Sequence, residues 1–337
     1  MNKMTTHVET AQITPPRLIT SLRSGFDAVA THIGLILFPV ILDLFLWFGP
    51  HFSLKSLLLP LITSISKTPG MDSPQLSDLM STTRDLWQAF AQQFNLASLL
   101  RTYPIGIPSL ESGLLPQHTP LGSPVTITIP SMGGVFMTSL VLYLIGLVGG
   151  SLYFAAVAGA LAVKPAEGGV KSSTWSAGQT ILLALGWLVL LLVISIPGVI
   201  VITILALISP VVAQIGTLLL GVAVIWLLVP LLFSPHGIFM FHQNALTSML
   251  NSVRLVRVLL PGTGLFFLTI VILSQGLDLL WQVPPDTSWM SLVAIAGHGF
   301  VTTALVAASF AYYRDATTFV RDLASRPAES RQTRLKI

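Results

Sequence analysis

The sequence predicts an all-α integral membrane protein with six transmembrane helices, interfacial amphipathic helices and one extracytoplasmic insertion. Three observations carry that expectation. First, 53% of the 337 residues are hydrophobic and 9% are charged, where soluble domains carry about 25% charged residues. Second, the 82 residues from Ser172 to Val253 contain no Asp, Glu, Lys or Arg. One crossing takes about 20 apolar residues, so this stretch crosses twice. It folds back at Ser209 and Pro210, because proline cannot continue a helix and biases its predecessor away from the α region. Third, 13 of the 17 Lys and Arg residues fall in 1–30, 164–177, 234–261 and 314–337, and the other four in 51–132. Long loops translocate largely regardless of charge. Both termini are therefore expected in the cytoplasm and the insertion outside, in a multi-pass protein of the cell membrane.

In chain order, residues 1–30 form a polar tail and an interfacial helix. Leu18, Ile19, Leu22, Phe26 and Val29 have helical spacing beside Arg17 and Arg23, the pattern of a helix lying on a membrane surface. The first transmembrane segment is 31–49, its helix running from about His32 to Phe48. The insertion, 50–132, is expected to hold an amphipathic helix over 53–66, interrupted by Pro60. A second, beginning at Ser73 and Pro74, carries Leu76, Leu79, Met80, Leu86, Trp87, Phe90 and Phe94. A proline-rich stretch follows, in which Val125 to Ile129 alternates as a short strand does; an extended loop on the membrane face fits equally. The bundle, 133–313, supplies crossings over 135–163, 178–207 (with a kink at Pro197 and Gly198), 211–233, 261–281 and 289–313. An amphipathic helix over 244–259 lies between the fourth and fifth. The charged tail is 314–337.

Gly146 and Gly150 in the second crossing make a small-xxx-small pair, which Ala155 and Gly159 repeat. Small residues let helices approach closely in lipid, and these four are read as packing positions, within the chain or across a dimer.

Phe233, Ser234 and Pro235, then Ala245 and Leu246, then Asn251 to Val256, and Tyr312 to Asp315 after the last crossing, resemble a group of bacterial six-helix membrane proteins. The group includes the membrane domain attached to some glycerophosphodiester phosphodiesterases. The resemblance covers 16–50 and 133–325 and leaves out the insertion; it implies the topology and a place in the bacterial inner membrane. No phosphodiesterase domain is present, so no enzymatic role carries over.

Polar residues within crossings are functional candidates, because a charge near mid-membrane costs at least a few kcal/mol. Asp43 and Asp278 are expected near one depth, and His298 beside them. The two acids can form a proton or cation site. They can equally cap interfacial helices or meet a base from the insertion, such as Lys55 or Arg101. His298 can ligate a metal or tetrapyrrole, or simply bond to a neighbouring helix. Gln214 and Gln275 suit bonds between helices. His236 and His242 stand too far apart in sequence to share a helix face. With no cysteine, thiolate metal sites and disulfides are excluded.

No nucleophile–base set, phosphate loop or metal motif is present, so neither an enzyme, a cofactor nor a metal is expected, and nucleic acid is not an expected partner. The function expected is that of a non-enzymatic polytopic protein, a scaffold or accessory subunit. It would contact other membrane protein subunits, beside lipid, through a lid-like insertion at Trp87, Phe90 and Phe94. The alternative is a small transporter or lipid-handling protein with a polar path near Asp43, Asp278 and His298.

Overall fold

In the computed structural model the described residues are 14–65, 94–111, 118–162 and 169–325, with 85, 87, 88 and 91 singly. Helix α1 spans Leu18–Thr31, and after His32 a 3₁₀ turn, Ile33–Ile36, leads into α2, Leu37–Phe48. Strand β1, His51–Ser53, precedes α3, Lys55–Ile65, which tolerates Pro60 in its interior. A second 3₁₀ turn, Leu96–Leu100, and strand β2, Thr126–Thr128, are the further elements among the described residues of the insertion. The rest is helical: α4 (Met132–Ala160), α5 (Gly169–Ile208), α6 (Pro210–Leu228), α7 (Ser234–Phe241), α8 (Ala245–Val258), α9 (Leu260–Trp281) and α10 (Ser291–Ser325).

Helix ends follow local chemistry. Ser131 accepts a hydrogen bond from the Gly134 N–H and caps α4, and Asn244 accepts from the Thr247 N–H and caps α8. The fold-back falls where the sequence places it. Ser209 is extended at φ −161° and ψ 130°, and Pro210 opens α6 at a position whose N–H needs no partner. Of the two readings open for 125–129, strand and extended loop, the strand forms over Thr126–Thr128: β2 pairs in parallel with β1, His51 opposite Thr126 and Ser53 opposite Thr128.

Among the described residues five helices are long and apolar enough to cross a membrane, within Met132–Ala160, Thr174–Ile208, Pro210–Phe241, Leu260–Trp281 and Ser291–Ser325. The first expected crossing differs. Residues Ile33–Phe48 reach that length and apolarity only together with Leu18–Thr31, from which they turn by 94°. The protein is thus an all-α membrane protein with five such helices and one bent pair.

The amphipathic helix expected at 17–29 exists as α1, but its inward face meets protein. Ser21, Gly25, Ala28 and Val29 are buried. Gly25 sits so close to α10 that a Cβ there would lie 2.3 Å from the Ala304 carbonyl oxygen and 2.5 Å from the Ala308 nitrogen. Leu18 and Leu22 continue the contact towards Phe233, Tyr312 and Ala316. Small residues on both helices bring the backbones together, which apolar spacing alone does not reveal. Helix α10 also runs past Tyr313 to Ser325, through part of the expected tail.

The core collects large rings around α10: Trp47, Tyr153, Trp187, Phe233, Phe266, Phe310, Tyr312 and Tyr313 are all 2% exposed or less. The α5–α6 hairpin stands apart from it. Beyond Trp187 its two helices close mainly on each other, Gly198 against Leu220 and Gly216 against Leu205.

Candidate functional site

The site is built by a segment that sequence reading places in a surface loop. Asn95 starts it: its side-chain oxygen accepts from the Phe52 and Ala97 N–H groups, tying β1 to the Leu96–Leu100 turn. Leu96, Ala97 and Leu100 are buried against Leu42, Leu46 and Leu142. The chain then descends along α4. A Cβ on Gly146 would lie 2.3 Å from the Leu100 carbonyl oxygen, and one on Gly150 2.9 Å from that of Ile105. Gly150 is 18 residues into α4, about 27 Å along it at 1.5 Å per residue. Ile105 is fully buried in the core that holds Tyr153 and Trp187. Tyr103 stands edge-on to Trp187 at 5.2 Å, and its carbonyl accepts from the Tyr143 hydroxyl at 3.0 Å. Irregular backbone at such depth is tolerated where protein surrounds it, and the absent side chains of Gly146 and Gly150 make the room.

Returning from that descent, the segment lays Ser109, Leu110 and Glu111 on Asp43 of α2. Asp43 is fully buried, and its Oδ1 accepts from the Leu110 N–H at 2.9 Å and the Glu111 N–H at 3.3 Å. The Ser109 side chain lies beside the same carboxylate without closing a hydrogen bond of ordinary geometry. On α9 and α10, Asp278 Oδ1 meets His298 Nδ1 at 2.9 Å, and His298 also lies within electrostatic reach of Asp43. Arg101 faces both Asp43 and Asp278; burial pulls its guanidinium below the ordinary value while the two acids push it back up. Glu111 faces Asp43 and Asp286, and burial, with those two acids adding, raises its carboxyl to about 7. Asp286 is anchored by its own carbonyl, which accepts from the Trp47 indole at 3.2 Å.

Among the described residues, four buried polar atoms here have no hydrogen-bond partner: Asp43 Oδ2, Arg101 Nε, Ser109 Oγ and His298 Nε2. Such atoms are uncommon in folded proteins, and their gathering at one place is the mark of a site. It offers acceptors and donors side by side and can exchange a proton or hold a small polar guest.

Asp43 and Asp278, expected at one depth, and His298, grouped with them as a polar path, do come together. Arg101, and not Lys55, is the base that joins them; Lys55 is exposed on α3. Gln214 and Gln275 are exposed and make no bond between helices, because both point away from the bundle. His236 is buried and bonded to Ser309 at 2.7 Å, whereas His242 adopts a left-handed conformation at the end of α7 and stacks on Trp175. Among the described residues no group of three acidic or histidine side chains is arranged to hold a metal. Gly146 and Gly150 are packing positions, though for the insertion instead of another helix. Ala155 packs on the core, but Gly159 faces open space and packs on nothing. The aromatic trio also divides: Trp87 is 53% exposed, Phe94 packs beside Leu96 and Ala97, and Phe90 lies outside the described residues.

Ser109, Glu111 and Asp286 went unselected in the sequence. The available signal was the apolar pair Ile105 and Ile107, each beside a proline. No family model, no curated protein and no solved structure matches the chain.

Proposed function

We propose that this is a small ion-coupled membrane transporter whose ion-handling centre is the cluster of Asp43, Asp278, His298, Arg101 and Glu111. In this reading the bent pair of α1 and α2 is one span, giving six crossings of the cytoplasmic membrane. Both termini are cytoplasmic, and the insertion enters the bundle from outside. The Lys and Arg distribution supports that orientation. The resemblance to bacterial six-helix membrane domains supports the topology and contributes no activity.

The observation that carries the reading is the re-entrant segment closing over buried acids. A scaffold gains nothing from charges inside an apolar bundle, each of which costs at least a few kcal/mol. The test is electrical: protein reconstituted on a solid-supported membrane is stepped in pH, sodium or potassium. A current that requires the protein and is lost in Asp278→Asn is expected; silence of the unmodified protein to all three ions overturns the reading. The accessory-subunit reading keeps one observation in its favour, the half-exposed Trp87, since tryptophan is a common anchor of interfaces. Its test is copurification from native membranes with and without Trp87→Ala.

A further inference from the structure

The charges of the cluster do not balance. Four carboxylates, Asp43 on α2, Glu111 on the re-entrant segment, Asp278 on α9 and Asp286 in the following turn, face one arginine and one histidine. Arg101 lies within electrostatic reach of Asp43 and Asp278. His298 of α10 is bonded to Asp278 and lies near Asp43. Among the described residues no cation faces Glu111, whose charged neighbours are Asp43 and Asp286. Its position is nonetheless fixed, because its own N–H is donated to Asp43. His51, on the neighbouring strand, turns towards the Leu46 carbonyl and offers no relief. No three-ligand set for a metal cation exists among the described residues either. Seating the segment thus brings a carboxyl into the company of two others with no counter-ion. A proton is the smallest charge that removes the conflict.

We propose that Glu111 is a proton-binding site, and that the segment 101–111 seats in its groove on α4 when Glu111 is protonated and unseats when the proton leaves. The inference deepens the ion-coupled reading by naming the ion and the moving part. The proton comes from water, forms one O–H bond on a Glu111 carboxylate oxygen, and returns to water on release; no other bond is made or broken.

The direction follows from linkage. A carboxyl held at about 7 in the seated state, and nearer its ordinary value of 4.5 when unseated, binds the extra proton only while seated. The seat is then fully stabilised below the unseated value and loses that stabilisation as pH rises through about 7.

Hydrogen–deuterium exchange of the full-length protein in detergent tests this, with rates corrected for the intrinsic effect of pH. Between pH 5 and pH 8 the peptide covering 101–110 is expected to lose at least about tenfold of its protection while α4 keeps its own. Glu111→Gln, neutral at every pH, is expected to hold the protection at pH 8. Because it leaves His298 in place, it separates the two titratable groups. Equal protection of the unmodified segment at both pH values, or a pH-dependent loss in Glu111→Gln matching the parent's, overturns the proposal. If Glu111→Gln fails to fold, Asp286→Asn replaces it: removing one acidic neighbour should move the loss of protection to lower pH, and an unmoved transition counts against Glu111. Absent currents with this transition intact would remove the transporter reading alone. Currents with a flat exchange profile would remove the Glu111 seat alone.

Discussion

Helix α10 and the α5–α6 hairpin are both long and apolar enough to cross a membrane, and they are used in opposite ways. Helix α10 is the less apolar and the more buried. From Thr302 to Tyr313 every residue but Val306 is buried, and the stretch is built of Ala304, Ala307, Ala308 and Ala311 with Thr302, Thr303 and Ser309. The hairpin is rich in Leu, Ile and Val, yet Ala213 is the one buried residue of α6, and Leu218 and Trp226 are about two-thirds exposed. In water, burial follows apolarity. Here the relation inverts. Lipid is as apolar as leucine, so a leucine gains nothing by leaving it, while small and hydroxyl-bearing residues gain close packing and hydrogen bonds by meeting protein.

Substitutions can break or sharpen that contrast. The largest effect is expected at Gly25, where α1 touches the α10 backbone. Gly25→Leu has no space, should cost more than about 3 kcal/mol, and should abolish monodisperse protein on size exclusion. Next is Gly146→Val, which drives against the Leu100 carbonyl. A loss of about 1–3 kcal/mol is expected, together with faster exchange of 100–107, and the second readout separates expulsion of the segment from general damage. Asp43→Leu should cost about 1–3 kcal/mol by leaving the Leu110 and Glu111 N–H groups unpaired. Asp43→Asn keeps an acceptor and should cost less, as thermal unfolding in detergent will measure. The smallest effect belongs to the hairpin: Leu218→Ala, facing lipid, should stay within about 0.5 kcal/mol. A loss there comparable to that of Gly146→Val would mean that protein covers this face.

Punctuation in this chain was readable and depth was not. Pro210, Asn244 and the strand over 125–129 announce themselves through local chemistry, which one residue and its immediate neighbours decide. So does the presence of Asp43, Asp278 and His298 in crossings, because charge is conspicuous in an apolar run. The groove on α4 is different. Gly146 and Gly150 are visibly small, but nothing in their spacing says whether a helix or a loop fills the gap. The answer lies more than 40 residues earlier, in a stretch whose prolines read as surface loop. Likewise α1 was read from its leucines, although Ser21, Gly25 and Ala28 choose its partner. Glu111 had no local mark at all; its chemistry arises from Asp43 and Asp286, which only the folded chain brings near.

The seating of Gly25 on Ala304 also bears on how the protein is made. Helix α1 leaves the ribosome nearly 280 residues ahead of Ala304, the α10 residue against which its Gly25 packs. At a synthesis rate of 5–20 residues per second that is a wait of about 14–56 s. Throughout it, the small-residue face of α1 is without the helix it fits, and the segment destined for the groove on α4 precedes both that groove and α10 in the chain. A nascent chain that stalls before α10 would present the small-residue face of α1 to the insertion machinery and to membrane proteases, whereas a chain that includes α10 hides it. Emergence of α10 is therefore the step that covers α1, and α10 acts as the seal.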